Sequence, residues 1–206
     1  MIAIIDYGVG NLFSLASSLS SLGFDAAVTG DPAVIRSADR LILPGVGAFG
    51  DAADKLRENG LDELIRDEVA RGKELLGICL GMQLLFEKSA EYGVHRGLGL
   101  LKGEVVPLEG MIDPELKIPH IGWNALRFVK PDCRLFRGIR EGDFVYFVHS
   151  FHAVGCGESL SATSEYGIPV TAVVAKDNVF GCQFHPEKSG KVGLAILAAF
   201  AGGVAK

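Results

Sequence analysis

The first eighty residues alternate apolar runs too short for helices with segments of helical periodicity, and that alternation leaves few folds open. Residues 2–6 (IAIID) are an apolar run ending at Asp6, and residues 11–23 (NLFSLASSLSSLG) then set Leu12, Leu15, Leu19 and Leu22 on one helical stripe that stops at Gly23. The strand signal returns at 24–28 (FDAAV), 40–45 (RLILPG) and 74–79 (ELLGIC), with a long amphipathic stretch over 51–72 between the last two. Strands joined by helical crossovers pack as a parallel sheet covered on both faces. The pattern therefore predicts a doubly wound α/β core.

Beyond about residue 98 the runs become β-branched or aromatic and are separated by Gly, Pro and Asp-Asn turns: GLGLLKGEVVPL, IGWNALRFV, FVYFVHSF, VTAVVAK and NVFGCQF. The second half is read as strand-rich, closing with a helix from near Ser189 through KVGLAILAAF, so that both ends pack on one core. At 206 residues and 49% hydrophobic content, with no repeat, low-complexity tract or linker, residues 1–206 are expected to form one domain.

Twenty basic residues against 25 acidic ones give a net charge of −5 with no Lys/Arg stripe, which argues against nucleic acid. Four scattered cysteines without a CxxC pair fit neither a disulfide scaffold nor a zinc site, so a reducing, cytoplasmic setting is expected. The N-terminal run lacks a basic flank and meets Asp6 early, unlike a secretory leader. The late apolar run 194–205 is far shorter than the roughly 20 residues a membrane span needs. It is read as a packed terminal helix.

Chemistry concentrates in three places. Gly77-Ile-Cys79-Leu-Gly81 follows an apolar strand and precedes a helical pattern, the spacing of a nucleophile elbow with sulfur in place of oxygen. The following helix would aim its N–H groups at the sulfur and favour the thiolate, with the Leu80 N–H facing an oxyanion. Spacing alone leaves open that Cys79 is a small buried hydrophobe. FGCQFHPEKSG brings His185 to a strand end with Glu187 two residues on, a base and its orienting acid, although a turn histidine and a helix-start carboxylate would look the same. His95, His120, His149 and His152 are rival bases. His149, His152 and Cys156 sketch a metal half-site lacking a fourth ligand, so no metal is expected. Finally, Gly45-x-Gly47-x-x-Gly50 matches a dinucleotide fingerprint in form but follows the third strand and has its downstream acids, Asp67 and Glu68, inside a helix pattern. The alternative is a glycine loop beside the elbow whose N–H groups complete an oxyanion hole.

Taken in order along nearly the whole chain, PGVGAF (44–49), GICLGMQLLF (77–86), HIGWN (120–124), YFVHSF (146–151) and GCQFHPEKSG (181–190) resemble the triad glutamine amidotransferases, and more narrowly the glutaminase subunits of imidazole glycerol phosphate synthases. The resemblance implies a flavodoxin-like, mainly parallel sheet with an added antiparallel portion, and no cofactor. It implies that Cys79 attacks the glutamine amide, His185 moves the proton, and Glu187 orients His185. Val46, Gly47 and the Leu80 N–H would form the oxyanion hole, and Gln83 with Val148, His149 and Ser150 would hold the substrate. The implied partner is a (β/α)8-barrel cyclase in a heterodimer, docked near Asn11, Trp123 and Tyr146. After YFVHS the family often continues with Tyr, where this chain has Phe151 and His152. Glutaminases of pyridoxal phosphate, anthranilate or aminodeoxychorismate synthesis share part of the motif set, and flavodoxin-like chaperones or peptidases share the elbow cysteine.

Overall fold

In the computed structural model, which describes residues 1–202, thirteen strands and six α-helices follow one another in this order. They are β1 (Ile2–Ile5), α1 (Leu12–Ser21), β2 (Ala26–Thr29), α2 (Pro32–Ser37), β3 (Arg40–Gly45), α3 (Phe49–Glu58), α4 (Leu61–Ala70), β4 (Glu74–Cys79) and α5 (Leu80–Gln83). The second half adds β5 (Lys88–Ser89), β6 (His95–Arg96), β7 (Glu104–Pro107), β8 (His120–Phe128), β9 (Phe144–His149), β10 (Phe151–Val154), β11 (Leu160–Glu165), β12 (Pro169–Lys176), β13 (Val179–Cys182) and α6 (Gly190–Ala201). Two short 3₁₀ turns, Arg134–Phe136 and Pro186–Lys188, complete it.

The main sheet runs β2-β1-β3-β4-β13-β12-β11-β8-β9. Its first five strands are parallel and its last four join antiparallel, so the expected division into a parallel first half and a strand-rich second half holds. Alternation along each strand splits the core in two. Ile2, Ile4, Ile42, Leu76 and Ile78 pack on one face with Leu15 and Leu19 of α1 and Ile196, Leu197 and Phe200 of α6. Ala3, Ile5, Leu41, Leu43 and Leu75 face the other side, against α2, α3 and α4. Each fully buried Leu, Ile or Phe contributes about 1.5–3 kcal/mol of burial free energy, so both faces of the sheet are strongly driven to be covered. A smaller sheet, β10-β7-β5-β6, lies outside the main one.

Local chemistry explains the ends. α1 stops at Gly23, left-handed at φ 81°, with the Phe24 N–H returning to the Leu19 carbonyl. α2, absent from the reading of the sequence, starts with Asp31 accepting the Ala33 N–H at 2.8 Å and Pro32 in the first turn. The stretch over 51–72 is two helices, because Gly60 takes φ 65° between them. Basic Lys55 and Arg57 end α3, and acidic Asp62 and Glu63 begin α4, each matching the helix dipole. α6 ends at Ala201, and residues 203–205 of the expected terminal helix lie outside the described residues.

Candidate active site

β4 delivers Cys79 to the carboxyl edge of the parallel sheet, and its neighbours β3 and β13 bring the glycine loop and the His185 segment to the same edge. That is where open parallel sheets gather ligands. Cys79 has φ 54° and ψ −113°, the strained conformation expected of an elbow. Gly77 and Gly81 are required by contact rather than by dihedral. A Cβ on Gly81 would sit 1.8 Å from the Leu43 carbonyl oxygen, and one on Gly77 would sit 2.6 Å from the Gly81 carbonyl oxygen.

The helix after the elbow is shorter than the sequence predicts, one turn only, Leu80–Gln83. The carbonyls that would continue it are taken by another segment: Leu98 N–H bonds to Leu84, Gly99 N–H to Phe86, and both Leu100 and Leu101 N–H to Leu85. What remains beside the elbow is a single turn with its first N–H groups, Leu80 foremost, rather than a long dipole.

His185 follows β13 by three residues, its N–H held by the Tyr146 carbonyl at 3.0 Å. Its Nδ1 lies 2.8 Å from Glu187 Oε1, and both side chains are buried. Burial disfavours a charged imidazole, but the Cys79 sulfur and the Glu187 carboxylate on either side outweigh it, raising the pKa from 6.5 to about 9. The pair therefore favours an imidazolium beside the sulfur. Ser189 locks this arm, its Oγ donating to the His185 carbonyl (2.7 Å) while accepting the Tyr146 N–H (2.9 Å).

Around the sulfur opens a cavity of about 380 Å³ lined by Val46, Gly47, Leu80, Gln83, Val148, His149 and Ser150, with Cys79 and His185. Every catalytic, oxyanion and substrate residue expected from the sequence lines it except Glu187, which stands behind His185. Gln83 is buried, not a helix-surface amide, and spends its Nε2 on the Phe151 carbonyl and Gln183 Oε1, both at 3.1 Å. Its Oε1 is the remaining acceptor. Gly47 is left-handed at φ 93° with nothing within 4 Å of a would-be Cβ, so the loop there is open. The third glycine of that run, Gly50, packs against the His95 ring, where its Cβ would come within 2.7 Å.

The other histidines go elsewhere. His149 Nδ1 donates to the Phe151 carbonyl (2.8 Å), and its Nε2 faces His120 Nδ1 at 3.0 Å. Burial pushes His149 down to about 3 and lowers His120 as well. His152 is buried with neither ring nitrogen hydrogen-bonded among the described residues, and Cys156 Sγ contacts Thr171 Oγ1 at 3.6 Å. The sketched metal half-site thus has its three members in three separate environments.

Phe151, noted in the sequence as a departure from the family, also lines the cavity, as do Glu91, Tyr92, Pro119 and Lys188, which the sequence did not single out. Glu91 Oε2 accepts the Phe49 N–H at 2.7 Å, and burial raises its pKa while that bond pulls the other way. An acid in the turn AEYG between two-residue strands carries no periodic signal, and only the small sheet places it here. Asn11 sits at the start of α1 in a narrow cleft shared with Val46, His185 and Glu187. Trp123 and Tyr146 are opposed across β8 and β9, their rings edge to face at 6.0 Å, with Trp123 half exposed.

A thiol, an imidazole–carboxylate pair and free N–H groups at the mouth of a polar cavity are equipped for nucleophilic acyl chemistry. Comparison with known proteins agrees. The family pattern described as glutamine amidotransferase class-I matches residues 3–201. The imidazole glycerol phosphate synthase subunit HisH of Caldanaerobacter subterraneus subsp. tengcongensis is 52% identical over 201 residues, 97% of each chain. The protein of that name from Bacillus subtilis is 51% identical over 97% of this chain and 95% of its own. Among solved structures, PurLQS from Thermotoga maritima superposes with a TM-score of 0.76 at 21% identity, covering 98% of this chain and 97% of the other. A match of pattern over nearly the whole length, with half the residues shared with full-length relatives, means that this chain belongs to the class-I glutamine amidotransferases.

Proposed function

We propose that residues 1–206 act as one unit that hydrolyses glutamine to glutamate and ammonia and hands the ammonia to a cyclase subunit, which makes imidazole glycerol phosphate and AICAR in histidine biosynthesis. The observation that carries the reading is the meeting of Cys79, at its strained elbow, with His185 in one cavity, the ring being held from behind by Glu187.

The Cys79 thiolate attacks the side-chain carbonyl carbon of glutamine, and the carbonyl oxygen takes the negative charge toward the Leu80 N–H and the Val46–Gly47 loop. The His185 imidazolium, held by Glu187, gives its proton to the amide nitrogen; the C–N bond breaks, ammonia leaves, and a thioester remains. Neutral His185 then takes a proton from water as the water oxygen attacks the thioester; collapse expels the thiolate and leaves the imidazolium and a side-chain carboxylic acid, which gives its proton to solvent to become glutamate. Gln83 supplies an acceptor oxygen to the substrate, the Val148–Ser150 wall positions it, and the Glu91 carboxylate is placed for the α-ammonium.

The partner is proposed to be a (β/α)8-barrel cyclase, covering the face where Val46, Ile118, Ile121 and Trp123 are exposed beside Asn11 and Tyr146. The test is glutamate formation by this chain mixed with that cyclase and its ligand. Cys79→Ala is expected to lower turnover by about a thousandfold or more, and retained turnover would sink the triad. Replacing the cyclase by an anthranilate or pyridoxal phosphate synthase partner should give no stimulation; stimulation by one of those would reassign the pathway.

A further inference from the structure

Gln183 is fully buried, one residue past β13, and its Nε2 points at Cys79 Sγ from 3.8 Å. Its orientation is fixed by its other end, since Oε1 accepts from Gln83 Nε2 at 3.1 Å, and Gln83 is itself anchored on the Phe151 carbonyl. With the oxygen occupied, only the N–H side of the Gln183 amide can face the sulfur. Across the sulfur lies the Val148 carbonyl at 4.0 Å, an acceptor that suits a thiol and opposes a thiolate. Two donors stand against it, His185 and Gln183. They differ in that His185 gives its proton away during the reaction, whereas the amide N–H cannot be spent.

Resting on the glutaminase reading above, we propose that Gln183 is a further catalytic residue, a permanent N–H donor to the Cys79 sulfur that stabilises the thiolate before attack and as it leaves the thioester. Gln83 acts on this step as a positioning residue, because its N–H turns the Gln183 amide toward the sulfur. A buried glutamine that only filled space between strands would have no effect on the sulfur's charge.

The test follows alkylation of Cys79 by iodoacetamide in the full-length chain, read by mass spectrometry of the peptide that carries it, from about pH 5 to about pH 10. Gln183→Met removes the donor at nearly constant volume. It is expected to slow alkylation near about pH 6 by roughly three- to tenfold while leaving the alkaline plateau unchanged. Gln183→Glu keeps the acceptor for Gln83 but turns an anionic oxygen on the sulfur, and should slow the acid-side rate further. A Gln183→Met profile superimposable on the parent's overturns the proposal. Should neither variant fold, the unmodified chain still decides: the Gln183 side-chain amide resonance must move when Cys79 is alkylated, and an unmoved resonance overturns it. Alkylation does not require glutamine turnover, so failure here leaves the glutaminase reading standing, and loss of that reading leaves this measurement interpretable.

Discussion

The two arms that meet at the sulfur are built on different principles. The β4–Cys79–α5 arm is held by backbone against backbone: Gly81 lies where no side chain fits, and Cys79 is forced into φ 54°. The β13–His185–Glu187 arm is held by side-chain hydrogen bonds, Glu187 on the ring and Ser189 on the chain. A strained nucleophile needs walls that cannot yield, whereas a proton carrier needs partners that set its charge. Substitutions should therefore fail differently in the two arms, by unfolding in the first and by loss of proton control in the second.

The sharpest break is Gly81→Ala. Its methyl would sit 1.8 Å from the Leu43 carbonyl oxygen, so strand β3 or the elbow must shift. A loss of about 4 kcal/mol or more is expected from urea denaturation, or no soluble protein at all. Gly47→Ala is the control, because Gly47, unlike Gly81, is left-handed yet meets nothing within 4 Å, so backbone strain without any clash should cost about 1 kcal/mol. Equal losses in the two variants would show that the elbow is not held by that contact.

On the other arm, Glu187→Gln leaves the fold and disturbs the proton. Turnover should fall by about a hundredfold as His185 loses the carboxylate that orients and charges it. Its pH signature follows from a raised pKa. In the parent chain the contribution of His185 to stability is fully present below pH 6.5 and is lost as pH rises through about 9. In Glu187→Gln that alkaline decline between 6.5 and 9 should flatten. An unchanged slope of the urea midpoint against pH would separate Glu187 from the charge of the ring.

The same contrast governs what the sequence made legible. The elbow left a visible spacing because backbone contact demands glycine at Gly77 and Gly81, but that spacing suits a buried cysteine as well, and only the ordered motifs along the whole chain pointed to a nucleophile. Glu187 was visible as a candidate because it lies two residues from His185, although a turn histidine and a helix-start carboxylate leave the same local pattern. Gln183 and Glu91 were not visible, since their partners are 104 residues (Cys79) and 42 residues (Phe49) away, and neither breaks a local pattern. The single-turn α5 was hidden for the same reason: LLFE reads as helix until residues 98–101 take its carbonyls. The break between α3 and α4 left a visible Gly60, but apolar periodicity on both sides outweighed it.

Ser189→Ala tests the side-chain lock with a smaller effect. It strips the Tyr146 N–H of its 2.9 Å acceptor and the His185 carbonyl of its 2.7 Å donor in a fully packed place. A stability loss of about 1–3 kcal/mol is expected, with kcat falling more than KM rises, because the ring rather than the pocket wall is displaced. A change confined to KM would place Ser189 outside the His185 arm.

The smallest effect should come from His152, the residue on β10 that stands where the family often has Tyr, and it should carry the opposite sign. His152 is buried beside neither arm's hydrogen bonds, with both ring nitrogens unpartnered among the described residues, and burial lowers its pKa. A neutral, unpaired imidazole costs the fold what it loses from water, so His152→Phe should raise stability by about 1 kcal/mol. The sign with pH is also fixed: a histidine whose pKa is depressed in the fold takes up a proton on unfolding below pH 6.5, so stability falls as pH drops. His149, pushed down to about 3, and His120 contribute to the same acid-side decline, and removing His152 should make it shallower without abolishing it. Turnover should stay near the parent's, since His152 does not line the cavity. A variant that is less stable, or whose acid limb is as steep as before, would mean that His152 has a partner in solution and that this strand, like the His185 arm, is held by a side-chain contact.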